Sequence, residues 1–121
     1  MSFKLGNVGN KASLIFNNEY YLLSEISNGK LSDNMDDILH SIDVVEELYS
    51  NIDEFEATGS LKDIELGPPV TNSKNCFAVG LNYKNHAEES AMEIPPFPMI
   101  FTKHTTCICG PYDDIEMRSD I

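Results

Sequence analysis

The sequence predicts an α+β fold in two parts. A small N-terminal β-hairpin and helix domain covers residues 1–70, and a strand-rich segment over residues 71–121 opens a second sheet without closing it. Three observations carry this reading. Two β-rich runs, residues 12–17 and 19–26, are separated by Asn17-Asn18, a pair that tolerates positive φ and suits a tight turn. Val45, Leu48, Ile52 and Phe55 recur at helical spacing. Gly67-Pro68-Pro69-Val70, followed by a polar connector to Asn75, then interrupts the chain with the composition of a domain boundary.

Residues 31–40 suggest a short helix capped by Ser32 or Asp33. Residues 43–57 suggest a longer one, with Asp43 as cap, Glu46 three residues on and Gly59 as the stop. Glu54-x-Glu56 falls inside that helix, where residues two apart diverge, so the pair reads as surface carboxylates and not as a metal chelate. Ile64-Glu65-Leu66 is a short strand candidate. Beyond the boundary, Cys76 to Gly80 reads as a buried strand, Gly80 to Asn82 as a turn with Asn82 as helix cap, and residues 83–91 as a helix. The prolines of EIPPFP stop it, since each lacks a backbone donor and fixes φ. Met99 to Lys103 is the next strand, residues 107–109 a third, Gly110-Pro111-Tyr112-Asp113 a turn, and residues 115–117 the start of another strand before the sequence stops at residue 121.

The formal charge of −12 gives a surface that repels phosphate backbones and anionic lipid, so neither nucleic acid nor a membrane is the expected partner. No apolar run is long enough to span a bilayer, and residues 1–16 lack a signal-peptide core. Three cysteines without a secretion signal suggest free thiols in a reducing cytoplasm. Cys107-x-Cys109 has strand spacing, which packing explains without zinc.

His86 and Glu89 are the residues best placed for chemistry. Three apart on a helix, they are neighbours on one face, and a carboxylate beside imidazole raises its basicity and stabilises the imidazolium, as a general base requires. By spacing alone, an exposed polar pair is the simpler account. The turn before them moves the balance, because ligand sites form where strands end and helices begin. Tyr83 could line such a pocket or be a buried aromatic. Lys103 ends an otherwise apolar strand, and could bind a substrate carboxylate or simply reach solvent. His104 and His40 read as solvated or structural.

AVGLNYKNHAEES followed by IPPFPMIFTKHTTCICGPYDDIEM resembles the fumarylacetoacetate hydrolase family, whose members carry GLNYxxHAxE, then P-x-x-P-hydrophobic-F-x-K, then G-P-x-D. The resemblance runs from about Gly67 to Met117, and residues 1–66 are only loosely similar to the small N-terminal domain of longer members. It implies that residues 71–121 are the beginning of an incomplete β-rich catalytic roll, and the chain the N-terminal, truncated part of a family protein. It implies hydrolysis, decarboxylation or isomerisation of a 2-oxo acid, with His86 as base, Glu89 as its partner, and Lys103 and Tyr83 near the substrate. Magnesium or manganese would stabilise the enolate, yet the family's metal-binding Glu-x-Glu pair would fall after residue 121, so no metal ligand is assigned. His104 stands where many members have proline. The resemblance also implies inactivity of these residues in isolation. The alternative, from another class, is a non-catalytic module that pairs its unfinished sheet with a second copy or another chain.

Overall fold

The computed structural model describes residues 2–62, 64–117 and 119. Its contacts divide the chain into two units, Met1–Thr71 with Ile108–Ile121, and Asn72–Cys107. The fold is α+β.

The first unit is built on a five-stranded antiparallel sheet. Its strands are β1 (Lys4–Val8), β2 (Lys11–Phe16), β3 (Glu19–Leu22), β4 (Gly59–Ser60) and β5 (Leu66–Gly67), in the order β4-β3-β2-β1-β5. The hairpin at Asn17-Asn18 is as the sequence predicts: φ is +49° and +65°, the double left-handed geometry of a type I′ turn, and Phe16 pairs with Glu19. A second turn of the same kind, missed in the sequence, lies at Gly9-Asn10 with φ of +58° and +63° and joins β1 to β2. Gly6 and Asn7 disguise β1 as loop. In the sheet Gly6 makes room for Ile15, whose Cδ1 would lie 3.1 Å from a Cβ there, and Asn7 donates through Nδ2 to the Pro68 carbonyl at 3.0 Å.

Period-two alternation sends Ala12 and Leu14 of β2 to one face, with Tyr21 of β3 opposite Leu14. That face is covered by α1 (Leu23–Ile26), α2 (Met35–Ile38) and α3 (Ile42–Ser50), and Leu14, Leu23, Ile38 and Val45 are fully buried in the resulting core. Phe16 meets the Tyr49 ring edge-on, with centroids 5.9 Å apart, which fixes α3 on the sheet. Asp33 ties the intervening loop to β2 and α1: its carbonyl accepts from Ala12 N of β2 at 2.7 Å and its carboxylate from Ser24 Oγ of α1 at 2.5 Å.

Several local expectations are corrected. Residues 23–26 are helical and do not extend β3. Asn34 caps α2, accepting from Asp36 N at 2.8 Å, in place of Ser32 or Asp33. Asp43 lies in the first turn of α3 and does not cap it, although its charge still suits the positive helix end. The helix stops at Ser50, a 3₁₀ turn at Ile52–Glu54 follows, and Glu56 lies beyond it. Gly59 belongs to β4, where the Tyr20 ring covers it. Residues 107–109 and 115–117 form no strand, having no partner strand to pair with among the described residues. The turn at Gly110–Asp113 is present, its Gly110 N–H donating to Asp113 Oδ2 at 2.6 Å. Arg118, Asp120 and Ile121, in the stretch read as a strand cut short, lie outside the described residues.

The second unit contains β6 (Cys76–Gly80), α4 (Lys84–Glu89), β7 (Met99–Lys103) and a 3₁₀ turn at Thr105–Cys107. β6 and β7 form a two-stranded antiparallel ribbon. The expectation that β6 is buried is corrected: Phe77 and Val79 are 64% and 45% exposed, because the ribbon is not covered on that face.

Leu14→Ala should cost about 3 kcal/mol in urea unfolding, since it opens a cavity in a core that holds Leu14 out of water entirely. Burial raises the Tyr21 pKa above 10.0, and the Glu19 charge and hydrogen bond and the Asp53 charge push the same way. A raised folded-state pKa makes the contribution of neutral Tyr21 complete below pH 10 and lost as pH climbs past it. Urea midpoints of the wild type should therefore fall more steeply between about pH 9 and 11 than those of Tyr21→Phe; equal slopes would contradict this.

Candidate active-site segment

α4, the Tyr83 that precedes it and the end of β7 carry the four candidate site residues, His86, Glu89, Tyr83 and Lys103. The chain leaves β6 at Gly80, but the left-handed step falls on the next residue: Leu81 has φ +49°, a conformation that costs a side-chain-bearing residue about 1–2 kcal/mol. Gly80 serves packing instead, since the Met99 Cε would lie 2.8 Å from any Cβ there. Asn82 does not cap α4. The cap position is Tyr83, in extended conformation and without a side-chain cap bond, so Asn82 sits one residue too early. The other end of α4 closes with Ala91 at φ +51° and Met92 N donating to the Ala87 carbonyl at 2.9 Å.

His86 and Glu89 both lie on α4 and are exposed, as is Tyr83 at 73%. Only Ala87 of this helix is buried. Among the described residues no hydrogen bond or ion pair joins His86 to Glu89, and none joins either to Lys103 or Tyr83. Helical spacing thus puts the imidazole and carboxylate on one face without locking them together.

The ribbon register separates Lys103 from the turn. Gly80 is opposite Met99 and Cys76 is opposite Lys103, so the lysine backbone lies at the far end of the ribbon from the point where the chain enters the turn before α4. Four residue steps make that distance roughly 13 Å. The turn itself borders a groove of about 220 Å³, lined by residues 79–82 and 94–98, with Asn82 as its polar side chain. The sequence reading overlooked this groove, and its expectation that the prolines stop the helix is corrected too: α4 ends at Glu89, closed by Ala91 and Met92 before the first of them, Pro95. Among the described residues no three His, Cys, Asp or Glu side chains gather as a metal site.

No family model matches the chain. Over 55 residues it is 40% identical to the fumarylacetoacetate hydrolase domain-containing protein 2 homolog of Dictyostelium discoideum, covering 46% of this chain and 18% of that protein. Over 47 residues it is 45% identical to the mitochondrial oxaloacetate tautomerase Fahd2a of Rattus norvegicus, covering 39% of this chain and 15% of that protein. The crystal structure of a protein provisionally called HpcE, from Mycobacterium smegmatis, matches with a TM-score of 0.78 and 26% identity over 95% of this chain and 40% of that one. The matches thus span less than a fifth of these curated relatives and two-fifths of the solved neighbour. The chain is thus similar, over less than half of its own length in sequence and nearly all of it in fold, to part of longer fumarylacetoacetate hydrolase-type proteins. No helix among the described residues is long and apolar enough to cross a membrane.

Ala91→Gly should stabilise α4 by up to about 1 kcal/mol, because glycine adopts positive φ without strain. Amide exchange at Ala87 and Glu88 is expected to slow, and faster exchange would show that the C-terminal cap carries no strain.

Proposed function

We propose that this chain carries the proton-transfer segment of a fumarylacetoacetate hydrolase-type enzyme that acts on 2-oxo acids by hydrolysis, decarboxylation or isomerisation. The supporting observation is the ordered pair of motifs, GLNYKNHAEE on strand, turn and helix and then PPFPMIFTK entering β7, in a chain 45% identical over 47 residues to an oxaloacetate tautomerase.

The chemistry follows from the residue types. A carbon next to the carbonyl of a 2-oxo acid is acidic, and an imidazole can take its proton or deprotonate an attacking water. Glu89 would orient His86 and stabilise the imidazolium, while Lys103 would neutralise a carboxylate or developing oxyanion and Tyr83 would flank the substrate. For His86 and Lys103 to serve one small substrate, α4 must fold back along the β6–β7 ribbon. That requirement agrees with a lid that orders over substrate, and the strained Leu81 is a fitting hinge. Family enzymes are generally metal-dependent; here the donors would come from outside the described residues, and no step is drawn through the metal. The cytoplasm and a homodimeric assembly remain parts of this proposal.

The 121 residues assayed by themselves should give no turnover of oxaloacetate or an acylpyruvate above background and no magnesium site tighter than millimolar by calorimetry; a tight site contradicts the reading. In a longer protein that includes them, His86→Ala should lower kcat by about 10²- to 10⁴-fold with magnesium affinity nearly unchanged. Unaltered turnover would remove His86 from the reaction.

A further inference from the structure

β1 carries a buried amide that its surroundings leave half used. Asn7 is 2% exposed. It stands opposite Ala12, so its side chain leaves the sheet on the face that Ala12 and Leu14 share. Its Nδ2 donates to the Pro68 carbonyl at 3.0 Å, which orients the amide. Its Oδ1 is shut away from open solvent and, among the described residues, accepts no hydrogen bond. An acceptor taken out of water without a donor is costly, and few folded proteins leave one so.

Asn7 lines a pocket of about 380 Å³ within the unit Met1–Thr71. Asn7 and Met35 are its buried residues, Asp33 is half-buried, and Asn10, Ser32 and Thr71 are exposed at its rim. These side chains offer oxygen: a carboxylate from Asp33, hydroxyls from Ser32 and Thr71, and amide carbonyls from Asn7 and Asn10. No Lys, Arg or His among the described residues lines the pocket. Lys11 reaches Asp33 only loosely, with Nζ 3.7 Å from Oδ2 and both side chains about half exposed, so the carboxylate keeps capacity for a second partner. A second carboxylate, that of Asp36, accepts from Thr71 Oγ1 at 2.6 Å. The pocket has the size of a small-molecule site, several times that of a water molecule or a metal ion, and no three His, Cys, Asp or Glu side chains gather there among the described residues. Its chemistry calls for an occupant with positive charge, N–H donors and a short apolar stem to lie on Met35.

We propose that this pocket binds a small primary alkylammonium, one N–H of which completes Asn7 Oδ1 while the charge pairs with the Asp33 carboxylate. The site is independent of the chemistry assigned to His86 and Glu89, which lie in the other unit.

The test is titration of n-butylammonium chloride into the 121-residue chain at constant ionic strength, followed by two-dimensional amide NMR. Saturable shifts are expected at the Asn7 side-chain amide and at the Asp33 and Met35 backbone amides, with a Kd on the order of millimolar. Butyltrimethylammonium, which keeps the charge and the stem but has no N–H donor, should bind at least about tenfold more weakly. Thr71→Lys sets a competing ammonium at the exposed rim and should weaken n-butylammonium binding about tenfold. Asn7→Leu, which removes Oδ1 at similar size, should abolish the saturable shifts. That variant also loses the bond to Pro68, so Thr71→Lys and the two-cation comparison decide the question if it does not fold. Shifts that never saturate, equal binding of the two cations, or binding indifferent to Thr71→Lys would overturn the proposal and leave an ordered water as the partner of Oδ1.

Discussion

Removal of one sheet face from water is the constraint on which residues 1–71 depend. β2 lies at the centre of its sheet, and Ala12 and Leu14 must be covered for the sheet to exist. The two type I′ turns at Gly9-Asn10 and Asn17-Asn18 supply the twist that keeps β1, β2 and β3 in register, and the register keeps every apolar side chain on its proper face. α1, α2 and α3 then close that face, with Val45 wholly buried. The β6–β7 ribbon has the same alternation, but its Phe77, Val79 and Ile100 are left exposed among the described residues. Each forgoes a large part of the about 1.5–3 kcal/mol that full burial of such side chains contributes.

This difference explains which features could be read from the sequence. The Asn17-Asn18 hairpin and the strands at Cys76–Gly80 and Met99–Lys103 declare themselves through local chemistry, by φ preference and by alternation. β1 does not, because Gly6 and Asn7 look like breakers until a neighbour shows why each is needed: Ile15 beside the one and the Pro68 carbonyl beside the other. Leu23–Ile26 deceives in the opposite sense. Its apolar residues continue the pattern of β3, yet the chain turns into a helix that lays Leu23 and Ile26 in the core. Residues 107–109 and 115–117 have strand-like patterning, but a strand is defined by its partner, which the pattern does not specify.

The candidate site divides along the same line. The order of its motifs is a property of the sequence. Its geometry depends on register, which is not local. The sequence places Lys103 seventeen residues after His86, whereas pairing with Cys76 puts it at the end of the ribbon away from the turn. Likewise, helical spacing makes His86 and Glu89 neighbours but cannot supply the surroundings that would lock them into a dyad. Leu81, held at φ +49° between β6 and α4, stores strain at the point where a moving helix would pivot.

One claim is central: this chain joins a sheet with its own core to a β6–α4–β7 segment that has little core of its own among the described residues. Native-state hydrogen exchange on the 121 residues tests it most directly. The account predicts that amides of β2 exchange only through global unfolding, while those of Val79 and Ile100 exchange orders of magnitude faster through local opening. Equal protection of β2 and the β6–β7 ribbon would contradict it.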